Sequence, residues 1–474
     1  MPARTSAPGD ERVTRALAEA VPKPYWLDQP DRPDALGPLD GPTTADLAVI
    51  GGGFTGLWTA LIAKERDPDR DVVLLDAVRA GWAATGRNGG FCAASLTHGL
   101  ANGIERFGDE IETLERLGRH NLDEIEAATH RYGIDCDFRR TGELSVATAP
   151  WQVDGLREGY DEARRFGANV SLLDADEVRA EVASPTYLGG LWDRDGCAIV
   201  DPARLAWGLR AACLRLGVRV FEGTIAKSIT GDGAELVVRT ARGSVRARHV
   251  AMGTGAFPAP LRRLRAYLVP VYDYVLMTEP LTDAQLLSIG WRNRQGVGDT
   301  GNQFHYYRLT ADNRILWGGY DAVYYNGGRI TTAREQRPAT AAKLAAHFFD
   351  TFPQLEDMRF SHTWGGVIDT CARFCAFFGT ARSGRLAYAA GYTGLGVGAS
   401  RFGAEVMLDL LSGTPTERTS LSMVGTKPVP FPPEPVRSAV IQLTRWSLSR
   451  ADEDDGRRNL WLRTLDRIGL GYDS

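Results

Sequence analysis

The sequence predicts a two-domain α/β (α+β) protein, with a mainly parallel sheet in one domain and an antiparallel sheet in the other. Short apolar runs separated by helical patterns occur over residues 46–76 and 196–255, a spacing typical of parallel strands joined by crossovers. Residues 268–325 instead have the pattern of successive antiparallel strands with many aromatic side chains. The chain of 474 residues is long enough for two hydrophobic cores.

The first unit is a strand, a turn and a helix followed by a second strand. Residues 46–50 form an apolar run too short for a helix, and a glycine-rich turn follows at 51–56. A helical pattern then leads to a second apolar run at 72–75, which ends in Asp76. Such a crossover makes the two strands parallel neighbours. The late segment 386–411 has the same order of strand, turn and helix.

The turn at 51–56 has the spacing of a dinucleotide-binding motif of the Rossmann type. Gly51 permits the tight turn, Gly53 lets backbone amides approach a pyrophosphate, and Gly56 lets helix and strand pack closely. Asp76 is spaced to accept hydrogen bonds from a ribose, which favours FAD or NAD over NADP. The alternative is a purely structural glycine turn.

Two later glycine-rich segments distinguish FAD from NAD. The loop 86–90 offers backbone amides and the Arg87 guanidinium to a flavin-side phosphate and ring edge, the alternative being a mobile surface loop. The segment 391–398 would aim a helix N-terminus at the negative charge that develops on a reduced flavin. A simple NAD enzyme does not need three separated glycine-rich turns, so the sequence predicts FAD.

The sequence resembles the D-amino-acid oxidase/glycine oxidase superfamily of flavoproteins, and especially its γ-glutamylputrescine oxidase-like, amine-oxidising branch. The matching stretches, in order along most of residues 25–415, are 46–58, 81–90, 196–205, 251–255, 269–272, 278–280, 364–366 and 391–396. The resemblance implies a Rossmann-type FAD-binding domain beside a substrate domain built on an antiparallel sheet, with the flavin between them.

The chain leaves the nucleotide-binding layer and returns to it more than once, so the domains are predicted to be discontinuous. An N-terminal extension covers 1–45, the FAD-binding domain 46–130, 196–262 and 365–415, the substrate-binding domain 131–195 and 263–364, and a C-terminal helical tail 416–474. The predicted cofactor-binding residues are Gly51, Gly53, Phe54, Thr55, Gly56, Asp76, Ala77, Gly86, Arg87, Asn88, Gly89, Gly90, Ala226, Gly253, Thr254, Gly255, Gly394, Leu395 and Gly396.

The chemistry implied by the resemblance is hydride transfer from an amine-bearing carbon to flavin N5. The resulting imine is hydrolysed to an aldehyde or ketone plus ammonia or a smaller amine. Family oxidases return the electrons to O2 and release H2O2, and catalysis rests on positioning and desolvation. Two alternatives stay open. One is a dehydrogenase of the same fold that uses another acceptor or oxidises an amino acid, and the other is a non-catalytic flavin-binding subunit.

Departures from the family pattern shift the predicted substrate from an amino acid to an amine. Amino-acid-oxidising members carry a carboxylate-binding arginine before the final strand, but residues 365–370 contain none. Asp369 either faces an ammonium there or only holds the loop, and Arg308 and Arg373 are alternative arginines. Trp317 aligns with the oxygen-activating lysine of sarcosine-oxidase-like relatives, which leaves the reactivity with O2 open.

The predicted catalytic residues are Tyr272, His305, Tyr307, Asp369 and Tyr392, with Tyr274 and Trp364 as further residues of the pocket wall. Strand alternation places Tyr272 with Tyr274 and His305 with Tyr307, each pair facing either the flavin or a packed core. His305 either accepts the amine proton or is a hydrogen-bonded sheet histidine. Cys371 lacks the continuation that covalent attachment uses, so a non-covalent FAD and a buried structural thiol are predicted.

Composition argues against several other classes of protein. The formal net charge of −4 gives no reason to expect nucleic acid, and the six scattered cysteines form no metal-binding pattern. No apolar run is long enough for a membrane span, so a cytoplasmic protein is predicted. The predicted partners are a small-molecule amine, O2 or another electron acceptor, and a second copy of the chain. The tail from residue 436 is either an oligomer contact or lid, or a helix pair that covers the FAD-binding domain.

Overall fold

The computed structural model describes residues 10–231, 233–258, 260–467 and 469–470. Residues 1–9 of the predicted N-terminal extension lie outside the described residues, as do 232 and 259 of the predicted FAD-binding domain and 468 and 471–474 of the predicted tail.

The strands of the described residues are, in chain order, β1 (Gly41–Ile50), β2 (Val72–Leu75), β3 (Phe91–Ala93), β4 (Glu143–Ala147), β5 (Val170–Leu173), β6 (Gly189–Asp193), β7 (Cys197–Ile199), β8 (Arg219–Phe221), β9 (Ser228–Thr230), β10 (Leu236–Arg239), β11 (Gly243–Met252), β12 (Val269–Thr278), β13 (Gly296–Asp299), β14 (His305–Leu309), β15 (Ile315–Gly319), β16 (Val323–Tyr324), β17 (Phe360–Thr370), β18 (Phe377–Ala381) and β19 (Leu386–Ala390).

The α-helices of the same residues are α1 (Glu11–Leu17), α2 (Phe54–Arg66), α3 (Leu100–Phe107), α4 (Ile111–Tyr132), α5 (Gln152–Arg165), α6 (Ala175–Glu181), α7 (Pro202–Arg215), α8 (Asp283–Ile289), α9 (Pro338–Thr351), α10 (Gly396–Ser412), α11 (Glu417–Ser420), α12 (Ser422–Gly425), α13 (Val436–Glu453) and α14 (Leu460–Arg467).

One sheet is mainly parallel and has the order β18-β19-β11-β1-β2-β8, with β9 and β10 beside β11. Strands β19, β11, β1, β2 and β8 are parallel neighbours, and β18 is antiparallel at the edge. Helix α2 connects β1 to β2, as the sequence predicts. Strand β2 is buried along its whole length because apolar side chains cover both faces of the sheet.

The second sheet has the order β16-β12-β15-β14-β13-β4-β6-β5, and β17 also pairs with β12. All of its pairings are antiparallel except the one between β13 and β4. Helix α9 packs its apolar face against this sheet, and the buried aromatic side chains of the sheet form a separate core. The predicted two-domain α/β fold is therefore confirmed.

Two predicted domain boundaries fall inside strands and are corrected. Residue 365 lies within β17, which pairs with β12 from Phe360 to Thr370, so this strand belongs to the antiparallel sheet as a whole. Residue 45 lies within β1, whose pairing with β11 already begins at Gly41. Both strands start or end in polar or glycine-rich stretches, where the apolar pattern does not mark the end of the pairing.

Candidate active site

A cavity of about 1330 Å³ lies between the two sheets. One wall is formed by the turns that follow the carboxyl ends of β1, β2, β11 and β19, the edge where ligands bind in open parallel sheets. The opposite wall is formed largely by β12 and β17 of the antiparallel sheet. Most small-molecule sites measure roughly 300–1,000 Å³, so this cavity has room for a dinucleotide and a second molecule.

The first wall begins with the glycine turn between β1 and α2. Gly51 has a φ of 104°, and a side chain there would overlap a backbone carbonyl at the end of β11. A side chain at Gly56 would overlap the Gly51 carbonyl, so this third glycine packs the helix on the strand. Gly53, Phe54 and Thr55 line the cavity. The positively polarised N-terminus of α2 thus faces the cavity, as a pyrophosphate requires.

Asp76 follows β2 and places its carboxylate at the cavity wall. Oδ2 accepts the N–H of Gly52 (2.7 Å), and Oδ1 accepts the N–H of Val78 (2.8 Å). Burial raises the pKa of Asp76 to about 6, and the two amides oppose that rise. The backbone N–H of Arg79 also lowers the pKa of Asp76, so one lone pair of the carboxylate is left for the predicted contact with a ribose hydroxyl.

Arg87 lines the cavity, but its guanidinium forms an ion pair and hydrogen bonds with other residues of the protein. Nη1 pairs with Glu335 Oε2 (2.7 Å) and donates to the Gly365 carbonyl (3.2 Å), and Nε donates to the Trp82 carbonyl (3.0 Å). Glu335 and Gly365 belong to the antiparallel domain. The guanidinium therefore joins the two domains, and its contact with a flavin phosphate stays a prediction.

The rest of the loop 86–90 is shaped by close packing. Asn88 and Gly89 line the cavity, and Asn88 Oδ1 accepts the N–H of Gly90 (2.8 Å). Side chains at Gly86 or Gly90 would overlap neighbouring backbone, and these two glycines do not line the cavity in the described structure. Trp26 Nε1 donates to the Asn88 carbonyl (2.9 Å), so the N-terminal segment fixes this loop.

The remaining predicted cofactor residues all line the first wall: Ala77, Ala226, Gly253, Thr254, Gly255, Gly394, Leu395 and Gly396. The last three lie where α10 begins. The loop before α10 is held by Asp369, whose Oδ2 accepts the Gly391 N–H (2.7 Å), and by Tyr392, whose hydroxyl accepts a hydrogen bond from Thr55 Oγ1 (3.1 Å). The N-termini of α2 and α10 thus meet at one wall.

Asp369 and Tyr392 line the cavity, as predicted, but their polar groups serve the loop. Burial raises the pKa of Asp369 to about 6 and the pKa of Tyr392 above its usual range. The hydrogen bonds to Gly391 and Thr55 give both side chains a loop-holding role. A catalytic role for either residue stays a prediction.

Tyr272 and Tyr274 face the core of the antiparallel domain and not the cavity. The Tyr272 hydroxyl accepts the N–H of Thr331 (3.0 Å), and the Tyr274 hydroxyl shares a hydrogen bond with the Tyr325 hydroxyl (2.8 Å). Their predicted position at the flavin is wrong because strand alternation fixes which residues share a face, and the core occupies this face.

His305 and Tyr307 of β14 also point into that core. His305 Nδ1 is 2.6 Å from Asp299 Oδ2, and its Nε2 is 2.9 Å from His347 Nδ1. The Tyr307 hydroxyl is 2.5 Å from the Tyr187 hydroxyl. Neither side chain lines the cavity in the described structure, so their predicted position at the flavin is wrong.

The alternative arginines and the aligned tryptophan do not reach the cavity of the described residues either. Arg308 is 1% exposed and donates to the Leu309 carbonyl (3.2 Å), and Arg373 donates to the Met423 carbonyl (2.9 Å). Trp317 is buried in the antiparallel core. None of them replaces the missing carboxylate-binding arginine or occupies a position beside the flavin site.

Cys371 lines the cavity, whereas Trp364 does not, so the predicted place of Trp364 in the pocket wall is wrong. Trp364 is buried and donates its Nε1–H to the Arg87 carbonyl (2.9 Å). Cys371 lies at the cavity wall, where its Sγ contacts the carbonyls of Cys375 (3.1 Å) and Gly391 (3.4 Å). Burial raises the pKa of the Cys371 thiol, which keeps it protonated and poorly nucleophilic.

Two residues that do face the cavity from the antiparallel sheet were missed by the sequence interpretation. They are Asp273, between the two core tyrosines of β12, and Tyr306, between His305 and Tyr307 on β14. The Tyr306 hydroxyl donates a short hydrogen bond to Asp273 Oδ2. The available signal was the single charged residue within the apolar run 269–277, since a charge in such a strand marks the face that is not packed.

The tail closes one side of the cavity. Asp452 of α13 accepts the N–H groups of Asn302 (2.9 Å) and Gln303 (2.9 Å) and the Nδ2–H of Asn302 (2.8 Å). Gln442 donates to the Tyr324 carbonyl (2.9 Å). The predicted cover over the FAD-binding domain is wrong for α13, which packs on the antiparallel domain and has the position of a lid.

No helix among the described residues is long and apolar enough to cross a membrane. Within the same residues no group of His, Cys, Asp and Glu side chains is arranged to hold a metal ion.

Comparison with known proteins identifies the family to which this chain belongs. The family model for FAD dependent oxidoreductases (DAO) matches residues 46–410. Gamma-glutamylputrescine oxidoreductase of Escherichia coli (strain K12) is 34% identical over 387 residues, which cover 79% of this chain and 85% of that protein. Probable oxidoreductase OrdL of Haemophilus influenzae is 28% identical over 405 residues, covering 84% and 89%.

The fold is also that of known enzymes. The crystal structure of glycine oxidase from Geobacillus kaustophilus superimposes with a TM-score of 0.66 at 20% identity, covering 79% of this chain and 96% of that one. The glycine turns, the helix N-termini and the acid after β2 together form a cradle that fits FAD. The chain is therefore an oxidoreductase that belongs to the DAO family of FAD-dependent oxidoreductases.

Proposed function

We propose that this enzyme oxidises a primary or secondary amine that lacks a neighbouring carboxylate, with O2 as the electron acceptor. When bound, FAD would supply the two-electron acceptor for the amine-bearing carbon, and the imine product would be hydrolysed to a carbonyl compound. The name of the Escherichia coli relative, gamma-glutamylputrescine oxidoreductase, supports an amine as the donor.

This proposal rests on the ion pairs and hydrogen bonds of the arginines that line the cavity. Among the described residues these are Arg87, Arg119 and Arg445. Arg87 is paired with Glu335 (2.7 Å), Arg119 lies 3.8 Å from a Glu115 oxygen, and Arg445 donates to Gln442 (3.1 Å). An α-amino acid needs a guanidinium fork for its carboxylate. Each of the three guanidiniums is within 4 Å of an acceptor in the protein, although the buried Nε of Arg445 has no partner, and such a wall favours an amine without that group.

We further propose that the FAD is held without a covalent bond. The N-termini of α2 and α10 and the Asp76 carboxylate would bind its charged and ribose groups. The Cys371 thiol is buried, and its raised pKa opposes formation of the nucleophilic thiolate.

Anaerobic reduction of the flavin tests this proposal. Purified holoenzyme is mixed without O2 with a panel of alkylamines and polyamines and with the matching α-amino acids. We expect amines to bleach the visible flavin absorbance and amino acids to leave it unchanged. Faster bleaching by the amino acids would contradict the assignment. Admitting air then tests the acceptor, since only an oxidase regains its colour within a turnover time.

A further inference from the structure

Strand β12 directs one carboxylate into the cavity. Tyr272 and Tyr274 point into the core of the antiparallel domain, so alternation turns Asp273 to the opposite face, where it lines the cavity. Its neighbour across the ladder on β17 is Gly366, which has no side chain to cover it. The residue is neither a loop aspartate nor a helix cap. The fold therefore presents a carboxylate to the cavity from the middle of a strand.

The contacts of Asp273 orient it without neutralising it. Oδ1 accepts the N–H of Tyr274 (2.9 Å), and Oδ2 accepts the Tyr306 hydroxyl in a short hydrogen bond. The Tyr306 ring stands T-shaped to Phe91, with ring centroids 5.8 Å apart, and lies against the backbone of Gly318 and Gly89. None of the ion pairs of the described residues includes Asp273.

The charged groups around Asp273 leave its environment short of positive charge. Asp321, beyond the end of β15, raises the pKa of Asp273, and Arg87, next to Gly366, is already paired with Glu335. Burial is the main cause of a pKa of about 6, and hydrogen bonds from the Tyr306 hydroxyl and from the backbone of Tyr274 and Gly319 oppose it. A carboxylate buried in this way is stabilised by any cation that enters the cavity.

We propose that Asp273 is the amine-binding residue of the site, which accepts an N–H of the substrate and receives the proton that its nitrogen loses before oxidation. An N–H bond of the ammonium breaks and an O–H bond forms on the carboxylate, which leaves a neutral amine and a carboxylic acid. The electron pair of that N–H bond stays on nitrogen and is available to form the imine. Tyr306 is a positioning residue that fixes the carboxylate. This inference rests on the proposed function, since it takes an amine as the substrate.

An amine that cannot be oxidised separates binding from turnover. tert-Butylamine has no hydrogen on the carbon that bears nitrogen, so it can occupy the site of the holoenzyme without reacting. Calorimetric titration of the holoenzyme gives its Kd, and pivalate, which carries a carboxylate on the same tert-butyl group, is the matched anionic probe. We expect Asp273→Asn to weaken tert-butylamine binding roughly 10–100-fold, the range for a charge-assisted hydrogen bond, and not to weaken pivalate binding.

Glu143→Gln is the matched control, because Glu143 is another carboxylate at the cavity wall, on β4. Unchanged amine binding in Asp273→Asn, loss of binding in Glu143→Gln instead, or no amine binding by the wild-type holoenzyme would each overturn the inference. Bound FAD, measured by absorbance, checks that each variant is folded. The amine panel can fail while tert-butylamine still binds through Asp273, so failure of the proposed function remains distinguishable.

A second variant keeps the test decisive if Asp273→Asn does not fold. Wild-type affinity for tert-butylamine should fall as the pH drops through about 6, because Asp273 becomes protonated while the amine stays cationic. Tyr306→Phe removes a hydrogen bond that lowers the pKa of Asp273, so the midpoint should move to higher pH. A midpoint that stays in place would show that the titrating group is another residue, and would overturn the assignment.

Discussion

Asp76 and Asp369 perform the same physical task at two sides of one wall. Each carboxylate accepts an N–H from a glycine-rich turn, at Gly52 and Gly391 respectively. Burial raises the pKa of both acids to about 6, and the amide donors oppose that rise. The cradle is therefore backbone held in place by short acidic side chains. Single substitutions should be most damaging at the glycines and at these acids.

Gly53→Val should abolish the retention of FAD. A Cβ at Gly53 would lie 3.0 Å from Thr85 Oγ1, which accepts the N–H of Phe54, and the larger valine side chain would fill the space before α2. The purified variant should be colourless, and Gly37→Val is the control because a Cβ at Gly37 meets nothing within 4 Å. A yellow Gly53→Val protein with a full equivalent of FAD would refute this role.

Asp76→Ala should weaken FAD binding without unfolding the protein. The change removes the acceptor of two backbone N–H groups and the predicted ribose contact. The loss of charge-assisted hydrogen bonds predicts a Kd roughly 10–100-fold higher. Fluorescence titration of the apoprotein with FAD measures it, with Asp154→Ala, whose side chain is 81% exposed, as the control. An unchanged Kd would place the ribose contact on another residue.

At the scale of elements, the functional assignment of β12 and α13 depends on which face each one turns to the cavity. Strand β12 presents Asp273 to the cavity and two tyrosines to the core. Helix α13 turns Val440 and Thr444 to the cavity, one turn apart on one face, and anchors itself through Asp452. The lid is thus attached by hydrogen bonds to a loop, in addition to apolar packing.

Asp452→Ala should loosen the lid where it meets the loop 302–303. Asn302 and Gln303 would lose the acceptor of their two N–H groups, so their amides should exchange with solvent faster. Hydrogen exchange followed by mass spectrometry measures this, with Asp454→Ala, whose side chain is 63% exposed, as the control. Equal protection in both variants would mean that packing alone holds α13.

The sequence predicted the β1-α2-β2 unit and the composition of the cofactor wall because those signals are local. A short apolar run, a glycine turn and an acid at the end of the next strand lie within about thirty residues of one another. The face of β12 and β14 that turns to the core was predicted wrongly, because alternation is local but the choice of core face depends on α9. This helix begins about sixty residues after β12 and about thirty after β14. The ion pair between Arg87 and Glu335 could not be predicted from the sequence either, because it depends on a tertiary contact between distant parts of the chain.

For the whole molecule, the cavity lies between the two sheets, and residues of both sheets line it. The wall of the parallel sheet and the wall of the antiparallel sheet are also joined directly by the Arg87–Glu335 ion pair (2.7 Å). A ligand that fills the cavity contacts both domains at once, so its binding energy contributes to the stability of both.

FAD should therefore stabilise both domains together. At a free FAD concentration of 100 times Kd, linkage predicts an increase of about 2.7 kcal/mol in the free energy of unfolding. Urea titration of the apoprotein with and without FAD, followed by far-UV circular dichroism, measures the shift. Gly53→Val should show no such shift. Unfolding in two steps of which only one responds to FAD would contradict the shared stabilisation.

The order of strands in the parallel sheet has a consequence for synthesis on the ribosome. Val49 of β1 pairs with Ala251 of β11, and Ala251 pairs in turn with Ala387 of β19. At roughly 5–20 residues per second, Ala251 is synthesised about 10–40 s after Val49. The glycine turn after β1 is synthesised early, but β11 and β19 are synthesised hundreds of residues later. A nascent chain that lacks β19 leaves residues 250–252 of β11 without a partner on that edge, while β10 already pairs with 244–247. We therefore expect the cofactor to be bound late in synthesis, which gives ribosome-associated chaperones an extended period in which to act.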